Sequence, residues 1–201
     1  NRQELKEYLD LSNSDFLSFN VGSSLFNLTR IANNSVTQNL SRDYRTLTVT
    51  SWRGKKTGYS TTTDFSPEGI KKCIGNAEFI SSVSPENKET MPPLSNSGNS
   101  IKHNFDADTA YMSAEERVSI ISPTALEAEK KKMKLAGTVS SGWNSEIIMN
   151  SEGLDIFYKE SKGGFSGTLT NPGGGTFRVA SESCWNLPSL SPRKVFETLF
   201  S

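Results

Sequence analysis

Apolar residues recur along the chain with two periods, and the switches between them mark its elements. Leu5, Tyr8 and Leu9 fall on one stripe among charged residues, which predicts a short helix over residues 2–11. Alternation then takes over: Leu17, Phe19 and Val21 are separated by Ser18 and Asn20, Phe26 and Leu28 by Asn27, and Leu47 and Val49 lie in a run of threonines. Half-polar strands of this kind suit an antiparallel sheet with one wet face. Gly54 and Gly58 bracket Lys55, Lys56 and Thr57, so a basic, exposed hairpin is expected here, entered through Arg53 and left through a strand over Tyr59 to Thr62.

The period returns to that of a helix at Ser66-Pro67-Glu68, where a capping hydroxyl, a proline at the first helical position and an acid near the positive end of the dipole coincide. Ile70, Cys73, Ile74, Ala77 and Ile80 form its apolar stripe. Residues 84–110 hold Pro85, Pro92, Pro93 and Gly98 and little periodicity, which reads as a long connection. Ser113 and Glu116 form a capping box for the next helix, and Ser122-Pro123 reads as the start of another, with Leu126 and Met133 on one face. Short alternating runs follow at Val139, Ile147 with Met149, Ile156 with Tyr158, Phe165 with Leu169, and Phe177 with Val179, separated by Gly and Asn turns. A last helix is expected from Ser191-Pro192, and its stripe of Val195, Phe196, Leu199 and Phe200 is still repeating at the chain end, as expected of a truncated helix whose apolar face meets a partner. The pattern predicts an α+β fold, an antiparallel β-sheet with helices packed on one face as a two-layer sandwich. Two sub-lobes, residues 1–83 and 111–190, are joined by the 84–110 connection.

Composition narrows the function classes. At 201 residues the chain can bury a core without staples, and 22 Lys and Arg against 22 Asp and Glu leave no excess positive field for nucleic acid or an anionic membrane. No apolar run approaches the ~20 residues that span a bilayer. Cys73 and Cys184 lie far apart without a C-x-x-C and read as reduced thiols, which fits a cytoplasmic location. The N-x-[ST] sequons at Asn27, Asn33 and Asn39 sit in a segment so rich in Asn, Ser and Thr that chance accounts for them.

Candidate chemistry is sparse. His103 is the single histidine, so neither a two-histidine zinc motif nor a nucleophile with a paired imidazole can be assembled, and it reads as a surface residue. Gly163-Gly164 and Gly173-Gly174-Gly175 match no phosphate-loop spacing and read as turns between strands. Asp106, Asp108, Glu115 and Glu116 lack the turn glycine and closing Glu of a calcium loop and read as helix caps. Lys130, Lys131, Lys132 and Lys134, offset by Glu127 and Glu129, read as a solvated helix face. Catalytic and metal-binding residues are therefore both expected to be none.

The order of the pieces carries a resemblance. The stretch T-L-T-V-T-S-W-R-G-K-K-T-G-Y-S-T-T-T from Thr46 to Thr63, then Asp64-Phe65-Ser66 and a helix, resembles the strand, glycine hairpin, "G-[FY]-[AS]-S-T" strand and helix near the start of TldD/PmbA proteins, also called modulators of DNA gyrase. Asn150-Ser151-Glu152-Gly153 is similar to their "N-S-x-G" turn, at which the resemblance places a substrate-chamber element. Two features depart from the family: Ser51-Trp52-Arg53 replaces a smoother apolar strand end, and Pro123 interrupts a helix.

The resemblance implies the amino-terminal domain of a two-domain zinc metallopeptidase, or of its pseudo-peptidase partner. Such a domain would help form a substrate chamber and the contacts of a homo- or heterodimer, for proteolysis or peptide maturation. Its partners would be a second family subunit and a peptide or unfolded protein substrate. Zinc would belong only to the carboxy-terminal domain, where the family keeps H-E-x-x-x-H, so the chain alone should be inactive. A free-standing peptide- or protein-binding module without enzymatic activity is the alternative, docking its ligand by addition to a strand edge.

Overall fold

The computed structural model describes residues 2–95, 101–173 and 177–186. Its elements are α1 (Arg2–Leu9), β1 (Phe16–Ala32), β2 (Ser35–Arg53), β3 (Lys56–Thr62), α2 (Pro67–Val83), α3 (Ala107–Ala110), α4 (Ala114–Lys130), β4 (Lys134–Asn150), β5 (Asp155–Thr170) and β6 (Phe177–Cys184). Among the described residues the strands form one open antiparallel sheet in the order β3-β2-β1-β4-β5-β6. The architecture is α+β, as the two periods require.

The residues fall into two compact units. Unit 1 holds Asn1–Ser23, Tyr44–Lys102 and Ser145–Tyr158, and unit 2 holds Ser24–Asp43, His103–Asn144 and Lys159–Ser201. Where the order of elements suggests consecutive sub-lobes on either side of residues 84–110, the units are built from interleaved pieces. The reason is strand length: β1, β2, β4 and β5 each run 16 to 19 residues and give residues to both units.

In unit 1, α1 and α2 cover one sheet face. Leu5 and Leu9 join Leu17, Phe19, Val21, Leu47, Val49 and Met149 with Ile70, Cys73, Ile74 and Ala77 in one buried cluster. Ser66 caps α2 by accepting from the Gly69 amide at 3.1 Å, with Pro67 in the first turn. The buried stripe closes on Ser81, and Ile80 is 38% exposed. Eleven residues complete three turns at about 3.6 residues each, whereas ten fall most of a quarter turn short. In unit 2, Ile121, Ala125 and Ala128 of α4 pack on Ile31, Leu135, Val139, Phe165 and Leu169.

Several local expectations change. The β2–β3 turn is Gly54-Lys55, with Arg53 opposite Lys56 and Gly54 at φ 60°, so Gly58 is not a turn residue. Gly58 lies inside β3 beneath α2, where an added Cβ would sit 2.3 Å from the Ser81 nitrogen and 2.4 Å from the Ala77 oxygen. Gly163 and Gly164 are likewise not a turn but the β5 partners of Cys184 and Ser183. Gly173 lies in a turn, and Gly174 and Gly175 are outside the described residues. The helix break expected at Ser122-Pro123 does not occur: α4 continues through Pro123, because Ile121, Thr124, Ala125 and Ala128 are buried on its sheet side. Ser122 Oγ donates to the Val118 carbonyl at 2.7 Å in that turn, and Leu126 points to solvent rather than sharing an apolar face with Met133.

The first helix is anchored by charge. Asp155 at the start of β5 accepts from Arg2 Nε at 2.6 Å and faces Lys6 Nζ at 2.6 Å. Burial raises the Asp155 carboxyl, but hydrogen bonds and charge from Lys6 and Arg2 outweigh it, and its pKa lies below the ordinary value.

Gly58→Ala should destabilise by about 1–3 kcal/mol through overpacking against the α2 backbone, whereas Gly75→Ala on the open side of α2, where nothing lies within 4 Å, should be neutral or stabilising. Urea titration of both variants checks this, and equal midpoints would refute the close crossing. A depressed folded pKa means that the Asp155 contribution is complete above the unfolded value, about 4, and is lost as pH falls through the lower folded value. The melting-temperature gap between wild type and Asp155→Asn should therefore be widest near neutrality and close below pH of about 4. A gap unchanged into acid would show that the ion pairs do not hold α1.

Candidate functional site

The Asn150-Ser151-Glu152-Gly153 turn joins β4 to β5 in unit 1. Asn150 is buried, and its Oδ1 accepts from the amides of Glu152 at 3.0 Å and Leu154 at 3.1 Å. Its Nδ2 donates to the Leu94 carbonyl at 2.8 Å, which ties the 84–110 connection to the turn. Ser151 bonds Leu17 twice, its amide donating to the Leu17 carbonyl at 2.9 Å and its Oγ accepting from the Leu17 amide at 3.1 Å. Gly153 takes φ 83°, the left-handed conformation that asparagine side-chain turns and glycine favour. The polar groups of Asn150 and Ser151 are thus engaged within the fold, and the Glu152 side chain faces solvent.

The hairpin is basic, but its cations turn back on the chain. Gly54 donates its amide to Asp15 Oδ2 at 2.6 Å, Arg53 Nη2 reaches the Asn13 carbonyl at 3.5 Å, and Lys55 Nζ donates to the Thr90 carbonyl at 2.9 Å. Beside it runs a hydroxyl seam that the sequence does not announce. Ser51, fully buried, lies 2.7 Å from Ser14 Oγ and 2.9 Å from Ser81 Oγ, which accounts for a serine where an apolar strand end is expected. Glu78 takes up the other end, accepting from Ser12 Oγ at 2.8 Å and the Asn13 amide at 2.9 Å.

Each unit carries a cavity of about 470 Å³. That of unit 1 lies between α1 and α2, lined by Tyr8, Leu11, Phe65 and Ile70, with the Arg45 guanidinium 3.9 Å above the Phe65 ring. That of unit 2 has the glycines Gly142 and Gly164 in its lining, with Phe26 and Trp185, both half-exposed, and the Glu160–Lys162 pair at 2.7 Å. A Cβ at Gly142 would fall 1.9 Å from the Leu25 carbonyl oxygen, so strand approach, together with φ 155°, fixes that glycine. The signal for this cavity was present as a glycine pair inside an alternating run, but a glycine pair reads equally well as a turn.

Nucleophilic chemistry finds little support here. Burial pushes the Cys184 thiol up, the Asn186 amide opposes this, and Glu182 and Asp106 add to the rise, so at neutral pH the sulfur keeps its proton. Both cysteines are free, Cys73 buried and Cys184 half-buried. His103 Nδ1 accepts from the Lys159 amide at 3.1 Å. Asp106 caps α3 through the Thr109 amide at 2.8 Å, and Glu116 completes the α4 capping box by accepting from the Ser113 amide at 2.7 Å. That bond also holds the Glu116 carboxyl below its ordinary pKa. Lys130 and Lys131 face Glu127 at 3.8 Å on the exposed side of α4. Among the described residues no three His, Cys, Asp or Glu side chains come together as a metal site, and no helix is long and apolar enough to cross a membrane. Val195, Phe196, Leu199 and Phe200 lie outside the described residues.

Comparison with known proteins adds what this geometry leaves open. Residues 21–81 match the family model described as PmbA/TldA metallopeptidase domain 1. The fold is shared with TldE from Thermococcus kodakarensis at TM-score 0.83 and 17% identity, over 99% of this chain and 46% of that one. A protein from Thermotoga maritima described as a modulator of a DNA gyrase matches at TM-score 0.75 and 17% identity, over 99% and 47%. One from Bacteroides thetaiotaomicron, described as a modulator of DNA gyrase, matches at 0.81 and 14%, over 99% and 48%. The chain thus spans about half the length of these structures, and at such identities the likeness is one of fold. No curated protein matches the sequence.

The turn is directly testable. Gly153→Val should cost about 1–3 kcal/mol from backbone strain alone, because nothing lies within 4 Å of the added Cβ. Gly153→Asn should recover most of it, since Asn is the side chain most tolerant of a left-handed φ. Equal stabilities of the two variants in thermal melts would count against a strained corner.

Proposed function

We propose that this chain is the first domain of a TldD/PmbA-family protein, the non-catalytic amino-terminal part of a zinc metallopeptidase of this type or of its pseudo-peptidase partner. The observation that carries the reading is the match of residues 21–81 to the first-domain family model. The sequence supports the same division of labour, since a single histidine cannot furnish a two-histidine zinc motif. In this reading the domain helps form the substrate chamber and the contacts of a homo- or heterodimer, while peptide-bond chemistry belongs to a second domain. Glu152, exposed on a turn whose other polar groups are engaged, is the chamber-facing candidate, and a peptide or unfolded protein is the substrate. The two free cysteines support a reducing, cytoplasmic setting.

Purified residues 1–201 should carry no stoichiometric zinc and cleave no peptide. Both should be gained when a TldD/PmbA-type carboxy-terminal domain with H-E-x-x-x-H is joined to it. Elemental analysis that found one tightly bound zinc per chain, lost on His103→Ala, would overturn the proposal.

A further inference from the structure

Residues 103–111 lie against β5 in unit 2, beyond the Gly163–Cys184 pair at which β6 stops. Asn104 makes an isolated parallel bridge to Glu160. Four hydrogen bonds accompany it: the Ser161 amide and Oγ donate to the Asn104 carbonyl at 2.9 and 3.4 Å, the Asp106 amide donates to Ser161 Oγ at 2.9 Å, and the Lys159 amide donates to His103 Nδ1 at 3.1 Å. These bonds cover a stretch of β5 that would otherwise be a bare strand edge.

The Lys159 side chain adds a contact of another kind. Its ammonium sits 3.9 Å from the centroid of Phe105, 5.0 Å from Trp143 and 5.8 Å from Tyr111, and 3.5 Å from the Tyr111 hydroxyl. Phe105 and Tyr111 meet edge to face at 6.3 Å and 71°, so two walls brace each other. All three rings fall inside the roughly 6 Å range at which a ring attracts a cation. Among the described residues no carboxylate pairs with Lys159, and the neighbouring Glu160 is taken up by Lys162 at 2.7 Å. An ammonium surrounded by three rings and no counter-ion is held by the ring faces.

We propose that Phe105, Tyr111 and Trp143 form an ammonium-binding box, filled in cis by Lys159, and that this catch holds residues 103–111 on β5. A vacated box takes a free primary alkylammonium ion, whose head group and short chain match those of the lysine.

Amide exchange in the intact protein tests both halves, read at Ser161 and Asp106 with Val139 in β4 as reference. Lys159→Ala should speed exchange at Ser161 and Asp106 by about tenfold, the scale of a partly desolvated cation–ring contact, and leave Val139 unchanged. Adding n-propylammonium should restore protection, and n-propanol, of the same shape without the charge, should not. Unchanged exchange in Lys159→Ala, equal acceleration at Val139, or rescue no better with the amine than with the alcohol would each overturn the proposal.

Discussion

A two-residue period that keeps one parity at both ends of β1 is the constraint on which the rest of the chain depends. Leu17, Phe19 and Val21 enter the core of unit 1, and Asn27, Thr29 and Ile31, of the same parity, are buried in unit 2. A slip of one residue anywhere along the strand would turn the whole set to the other face. Unit 2 reads this parity with polar groups. Thr29 accepts from the buried Arg117 at 3.1 Å and donates to Asn39 at 2.6 Å, while Asn27 accepts from Ser41 at 2.7 Å. Arg117 also donates to the Met112 carbonyl at 2.6 Å, so its charge is spread over neutral acceptors, and burial lowers its pKa. Removing Thr29 would leave that guanidinium short of a partner in a buried setting, the costly half of a broken hydrogen bond.

What the sequence discloses depends on whether a residue's role is local. The Ser66 cap, the Ser113 and Glu116 capping box and the Gly153 corner are settled within four residues, and each is where the pattern puts it. The run from Ser35 to Arg45 is a strand although every residue in it is exposed, so burial leaves no alternation to detect. Asn33 and Asn34, at φ 50° and 64°, form its turn, yet an Asn-rich stretch suggests sequons before it suggests a hairpin. Gly58, Gly142 and Gly164 answer to neighbours distant in sequence, and Pro123 is carried by the burial of the residues around it.

The same distinction separates the family signal from the site. The hairpin and the N-S-E-G corner are recognisable because both are turns, and turns demand particular residues at fixed spacing. The box around Lys159 draws on residues far apart in the chain, and no spacing rule connects Phe105, Tyr111, Trp143 and Lys159. Neither does any local pattern foresee the serines that join β2 to α2. Chemistry assembled by tertiary contact is visible only once the strands are registered.

Asn34 gives the exposed hairpin a mechanical character. Its Oδ1 accepts from the Leu135 amide at 2.6 Å, its Nδ2 donates to the Met133 carbonyl at 2.9 Å, and its own amide donates to the Leu135 carbonyl at 3.1 Å. The tip of the β1–β2 ribbon is therefore riveted to the start of β4, while β2 between Ser35 and Arg45 has solvent at every residue. A ribbon fixed at its tip cannot flap like a free flange. With β1 hydrogen-bonded to β4 on its inner side and the tip pinned, the outer strand β2 is held along one long edge and at its turn, and its solvent edge, midway near Leu40, is the side left to yield.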